Sequence, residues 1–377
     1  MQFEFTEEQR MIRDMAAAFS RDRGASEAVR AAVDGTSGFD HETWRQMSQE
    51  LGFAGLMLPE ALEGQALGLV EAAIVFEEMG RVLLPSPLLG TVMSASAIEG
   101  AADDSQAQRW LPGVARGDTR AALGVCSNGG AEGSAGVDAS FAERSDGAVL
   151  DGVYRFVSEA TSADVLVLAG RIGGDVKLAV VPADREGIRV ERHTSLDITR
   201  PHHTVHAEGV RVQPDEILSG ASAESLDAAI ERGCILLAAE QAGAAAETLA
   251  RTVTYSGERE QFGRAIGSFQ ALKHRMADMM IQVEAAISAV YFAACSADED
   301  PATLPQMASL AKVQASETLQ FCAASMIQLH GGIGFTWEHD AHLYFKRARA
   351  SAGLFGSVAA HEERLAVFMG LDEEVAV

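Results

Sequence analysis

Basic residues are scarce in this chain: 30 lysines and arginines stand against 54 aspartates and glutamates, a net charge of −24. Such a surface repels polyanions, which argues against a nucleic-acid or anionic-lipid binder and obliges any anionic ligand to find a local basic patch. Cysteine is also rare. The four, at positions 126, 234, 295 and 322, show none of the CxxC or CxxH spacings of metal and redox motifs, so they read as buried thiols and no metal is expected. Although 47% of the residues are apolar, no uninterrupted apolar run approaches the length of a membrane span, and no membrane association is expected. Met1 to Glu8 has neither the basic nor the apolar stretch of a secretion signal, so the expected compartment is the cytoplasm. What remains is a chain of 377 residues, too long for one compact core, without repeats or low-complexity tails.

The first ~118 residues carry helical signals. Thr6-Glu7-Glu8-Gln9 fits a capping box, and Met11, Ile12, Met15, Ala16 and Phe19 follow at helical spacing. Further helices are expected through Trp44, Met47 and Leu51 up to Gly52, over Leu69 to Leu84 before Pro85, over Val92 to Ile98 and over Gln106 to Leu111. From about Ala121 the period changes to two. Gly147 to Val157 reads as a hairpin turning at Asp151-Gly152, and Asp164 to Val181 as another turning at Gly173-Gly174-Asp175. Gly187 to Val190, His203 to His206 and Gly209 to Val212 add short strands, so an antiparallel β domain without βαβ units is expected. After Pro214 come long helical stretches, Ala223 to Tyr255, Ser268 to Ala297 and Pro305 to Leu329, as in a helical bundle.

Three segments have the composition of a site. Arg259-Glu260-Gln261-Phe262-Gly263 leads into Ile266-Gly267-Ser268-Phe269-Gln270 at the head of a helix, where a guanidinium, a glycine turn and free N–H groups suit a diphosphate. The plainer reading is a helix C-cap with a surface arginine. Gln328-Leu329-His330-Gly331-Gly332-Ile333-Gly334-Phe335 ends a long helix with paired glycines that admit a flat ligand, or, more plainly, a glycine-terminated helix with His330 as a core or capping residue. It follows a helix and lacks GxGxxG spacing, so it is not a Rossmann fingerprint. Leu354-Phe355-Gly356-Ser357, after the basic stretch Lys346 to Arg349, reads from composition as a helix end and a turn.

In this order and spacing, Phe5 to Gln9, Leu51 to Leu56 with Pro59-Glu60, Glu77-Glu78-Met79-Gly80-Arg81, Arg259 to Gly263 with Gln270, and Gln328 to Phe335 together resemble the acyl-CoA dehydrogenase superfamily from end to end. The resemblance implies an α+β multidomain fold: an N-terminal helical domain (1–118), a middle antiparallel β-barrel-like domain (119–218) and a C-terminal four-helix bundle (219–377), assembled as a tetramer. It also implies FAD. Arg259, Phe262, Gly263 and Gln270 would meet its phosphates and adenosine across a subunit interface, and Gln328, Leu329, His330, Gly331 and Gly332 its far end. Phe156-Val157-Ser158 matches the strand laid over the flavin ring, with Ser158 retaining a hydroxyl, and Ser357 joins the same set. The implied reaction takes an α-proton from an acyl-CoA with a glutamate and a β-hydride with the flavin, giving a 2-enoyl-CoA and passing electrons to an electron-transferring flavoprotein.

The sequence departs from that pattern where the base belongs. Ungapped counting from Gln328 puts Phe355 at the usual glutamate, and Gly233 falls at the alternative position on the first long helix. Glu231 is turned away from position 233 by ~200° and Glu240 lies ~10 Å along the helix. The family's Thr-Glu-Pro-Gly-Ala-Gly-Ser-Asp loop is replaced by Cys126 to Ser134. The expectation is therefore a base-deficient subunit working with a base-bearing paralogue, as in bacterial heterotetramers acting on bulky steroid or side-chain acyl-CoAs. The alternatives are a self-sufficient homotetramer with a displaced base, or a flavin oxidase or monooxygenase on the same fold.

Overall fold

The computed structural model describes residues 4–35, 37–125 and 132–371. Helices come first: α1 Glu7–Arg23, α2 Ser26–Asp34, α3 His41–Arg45, α4 Leu69–Arg81, α5 Leu88–Glu99 and α6 Asp104–Ala115. Seven strands follow, β1 Ala121–Gly124, β2 Ser140–Arg144, β3 Gly147–Ser158, β4 Val165–Ile172, β5 Asp175–Pro182, β6 Ile188–Arg192 and β7 His202–Val212. Then α7 Ala223–Glu258 leads through the short strands β8 Glu260–Gln261 and β9 Arg264–Ala265 into α8 Gln270–Glu299, α9 Leu304–His330, α10 Ala341–Ser351 and α11 Val358–Phe368. The helical, β, helical order is the one read from the sequence.

Local chemistry explains most boundaries. Thr6 and Gln9 form the expected capping box, each side chain bonding the other's backbone N–H. Asp103 and Gln106 build a second at α6. Gly52 closes the α3 region in the left-handed conformation at φ 70°. Leu83, also left-handed at φ 52°, stops α4 earlier than Pro85 would. The short helix α2, whose buried residue is Val29, was not expected from the sequence.

The chain packs as two compact units. One holds Met1–Arg30, Leu69–Leu84 and Cys234–Val377; the other holds Ala31–Gly68 and Pro85–Gly233. In the first, α4 and α7 cross with their backbones nearly touching, since a Cβ on Gly243 would lie 1.9 Å from the Glu77 carbonyl oxygen and one on Gly80 2.1 Å from that of Glu240. Tyr291 of α8 donates to Glu77 at 2.7 Å, and Arg81 pairs with Glu77 and Glu78. The Glu77 to Arg81 motif thus ties α4 to α7 and α8. By length and mean composition α8 could cross a membrane. A bundle helix passes the same test, and here Met279, Val283, Ala286, Val290, Ala293 and Ala294 are buried while Asp278 and Glu284 interrupt the apolar run.

In the second unit the sheet runs β1-β4-β2-β3-β7-β6, with β5 also on β4. Its core is built from Phe141, Leu150, Tyr154, Leu166, Leu168, Val181, Val205 and Val210. Most pairs are antiparallel as expected; β1 and β2 instead run parallel to β4. The β4–β5 hairpin turns at Gly173 and Gly174, both with positive φ. The hairpin expected at Asp151-Gly152 is absent, for β3 runs straight through. Gly152 is extended, its missing Cβ makes room for Ala139, and Asp151 accepts from Gly209 N–H at 2.7 Å across a bulge. The true turn is Ser145-Asp146, joining β2 to β3. His203 to His206 and Gly209 to Val212 likewise form one bulged strand, β7.

The helix crossing can be probed directly. Gly243→Ala is expected to cost about 2–3 kcal/mol of stability through overpacking. Gly257→Ala on the same helix, where a Cβ meets nothing within 4 Å, is expected to be neutral or slightly stabilising. Thermal or urea unfolding of the two variants decides.

Candidate active site

The turn after α10 is held from beneath by buried polar side chains. Lys312, on α9, donates to the carbonyls of Ser351 at 2.9 Å and Ala352 at 3.1 Å, satisfying the C-terminal end of α10. Gln241 bridges Ser316 and Ser351 at 3.0 and 2.8 Å. Beyond them Phe355 takes a left-handed backbone, φ 58°, which costs a non-glycine residue roughly 1 kcal/mol. Its carbonyl accepts from His361 Nε2 at 3.0 Å and from the Cys234 thiol at 3.8 Å. Ser357 caps α11, accepting from Ala360 N–H at 3.1 Å. The hydroxyl read as a cofactor contact is thus a helix N-cap.

Neither position where the resemblance looks for a base carries a carboxylate, and the space beside Gly233 is filled. A Cβ there would lie 2.6 Å from the Sδ and Cε of Met93 on α5. Glu240 is buried in an ion pair with Arg347 of α10. Glu231 is buried on the earlier part of α7.

Arg259 and Gln270 flank an exposed β-hairpin between α7 and α8. Phe262 (φ 56°) and Gly263 (φ 75°) form its tip, and Ile266 N–H bonds the Arg259 carbonyl at 2.8 Å. The plainer reading also holds, since Arg259 is exposed and its N–H bonds the Tyr255 carbonyl at 2.8 Å, capping α7 where the hairpin begins. Phe262 is 90% exposed, and Arg259 has no ion-pair partner among the described residues. At the end of α9, Gly331 adopts φ 63°, ψ −139°, outside the range of residues with a Cβ. Gly331 and Gly332 are both exposed, and a Cβ on either would meet nothing within 4 Å. No protein group therefore demands a glycine at 332. The His330 ring is buried; it donates from Nδ1 to Met326 O at 2.8 Å and stacks on Tyr255 with centroids 4.3 Å apart. Gln328 is exposed and Leu329 half-buried. Exposed donors and open backbone at both places fit an extended anionic, planar group such as FAD.

In the sheet unit, Phe156 is exposed at φ 57° beside a bulge, Val157 is buried, and Ser158 Oγ lies 3.5 Å from His202 Nδ1. Directly after them comes Glu159, left-handed and buried in a pair with Arg200 at 3.6 Å. This pair was not singled out from the sequence, because its members are far apart in the chain. Ser134 is anchored to Asp227 by two bonds of 2.7 and 2.6 Å; Cys126 to Ala131 of the divergent loop lie outside the described residues. Cys234 and Cys322 are buried as expected, burial pushing the Cys322 thiol up to about 12, while Cys295 is half-buried.

Residues 6–118 match the acyl-CoA dehydrogenase N-terminal domain and residues 224–369 the C-terminal domain. The chain belongs to the acyl-CoA dehydrogenase family. Within this family it is 38% identical over 355 residues to acyl-CoA dehydrogenase IpdE2 of Mycobacterium tuberculosis, spanning 93% of this chain and 94% of that one. The structure of the Tcur3481-Tcur3483 steroid ACAD superposes with a TM-score of 0.88 at 29% identity, covering 97% of this chain and 98% of its own. The ChsE4-ChsE5 complex of Mycobacterium tuberculosis shares the fold, with a TM-score of 0.90 at 24% identity over 98% of this chain and 99% of that one.

Two predictions follow from these side chains. Gly233→Glu is expected to lower stability by about 1–3 kcal/mol through its clash with Met93, and Met93→Ala in the same chain to recover most of the loss in thermal unfolding. Burial also lowers His203, His342 and His361 to about 4 from an ordinary 6.5. The unfolded chain then binds more protons than the native one between those values, so stability is complete above about pH 6.5 and declines as pH falls toward about 4. A urea midpoint that stays flat across this window would contradict that assignment.

Proposed function

We propose that this chain is a subunit of a flavin-dependent acyl-CoA dehydrogenase that lacks its own general base and works beside a related, base-bearing chain. The observation that carries the reading is the double loss of the carboxylate, Phe355 at one position and Gly233 packed against Met93 at the other. A missing general base typically removes ~10² to 10⁴ of rate, too much for an efficient self-sufficient enzyme. Glu240 is paired with Arg347, and Glu159 with Arg200 at 3.6 Å.

In this reading Arg259, Phe262, Gly263 and Gln270 hold the phosphates and adenosine of FAD, and the backbone at Gln328 to Gly332 receives another part of it. Phe156, Val157 and Ser158 shelter its ring, with the Ser158 hydroxyl as a hydrogen-bond donor. When bound, FAD supplies the acceptor for the hydride leaving the β-carbon of an acyl-CoA, while the partner's carboxylate takes the α-proton and a 2-enoyl-CoA results. Electrons then leave to an electron-transferring flavoprotein. The likeness to a steroid ACAD composed of two named chains supports a mixed assembly and a bulky acyl group.

Co-expression with a related chain tests the reading, by measuring bound flavin and enoyl-CoA production for each chain alone and for the pair. Turnover is expected from the pair, with this chain alone slower by about 10² or more. Full turnover by this chain alone would defeat the proposal.

A further inference from the structure

The geometry points to His361 as a positioning residue that fixes the direction of the residue-355 side chain, a role that nothing in the family resemblance assigns. The Phe355 carbonyl can only accept, so the Nε2 at 3.0 Å must carry the proton. In the neutral ring Nδ1 is then an acceptor, and the Ser309 hydroxyl lies 3.1 Å from it and 3.1 Å from the Pro305 carbonyl, its one proton shared between the two acceptors. Ser309 and Lys312 are fully buried on α9, and Cys234 is buried on α7. The turn is thus gripped at both ends from inside the bundle: Lys312 holds the carbonyls of 351 and 352, and His361 with Cys234 holds that of 355. These bonds keep a phenylalanine in a backbone conformation it does not favour, φ 58°.

A turn kept this rigid without a base to aim has a different use. Its clamp presents the benzyl group as a fixed wall against the acyl part of the thioester, so that His361 sets acyl recognition without touching substrate. This inference rests on the reading of position 355 as part of the acyl site.

The test compares His361→Leu with His361→Gln in the full chain, purified alone and with its partner. Binding is measured for a panel of thioesters from butanoyl-CoA to a steroid-side-chain acyl-CoA, with coenzyme A as reference, and hydrogen exchange is followed at the amides of 354–357. The Leu variant is expected to bind the best thioester about tenfold more weakly with coenzyme A unchanged, and to exchange at least about tenfold faster, as for loss of one buried hydrogen bond. The Gln variant, which restores a donor, is expected within about twofold of wild type. If the Leu variant does not fold, Ser309→Ala should show the same discrimination at about threefold, since it removes the hydroxyl that packs on Nδ1 and leaves the Nε2 bond to Phe355 in place. Equal weakening toward thioester and coenzyme A, or no weakening at all, would overturn the inference alone. Failure of the wild-type chain, alone or paired, to bind any thioester removes the reading beneath it as well.

Discussion

Lys312 lies at 0% exposure between α9 and the end of α10, its ammonium donating to Ser316 and to the carbonyls of Ser351 and Ala352. A buried charge of this kind is tolerated only when hydrogen bonds replace the lost water, and the cost of leaving it unmet is several kcal/mol. Its partners are the last carbonyls of a helix, which carry partial negative charge and need donors of their own. The interaction is therefore mutual. It fixes where α10 stops, and every feature of the following turn, from the left-handed Phe355 to the Ser357 cap of α11, is measured from that point.

Besides this ammonium the first unit holds several buried or half-buried polar contacts between its helices. Glu240 and Arg347 join α7 to α10, Gln241 and Ser316 join α7 to α9, and Tyr291 with Glu77 joins α8 to α4. The glycines at 80 and 243 let α4 and α7 approach closely. Such contacts specify one arrangement of helices where alanine-rich faces alone would permit several. The turn at 354–357 is held by contacts of the same kind, through Lys312, His361 and Cys234.

The same contrast between local and distant causes separates what was legible in the chain from what was not. Capping boxes at Thr6 and Asp103, the β4–β5 hairpin and the extents of α7, α8 and α9 are written within a few residues of themselves. Asp151-Gly152 misled because an Asp-Gly pair suits both a turn and a bulge, and only Ala139 and Gly209, brought up by neighbouring strands, decide between them. The roles of His361, Cys234 and Met93 had no local signal at all.

The ordered motifs were enough by themselves to determine the family and the helical, β, helical order, because residue identity and spacing are properties of the chain. Tertiary structure alone decided that Met93 fills the place beside Gly233, that Glu240 is spent on Arg347, and that a histidine, a thiol and a buried lysine hold the turn at 355. Those outcomes depend on groups up to more than a hundred positions apart meeting in the interior, where exclusion of water makes each hydrogen bond obligatory, and no local pattern encodes which partners will meet.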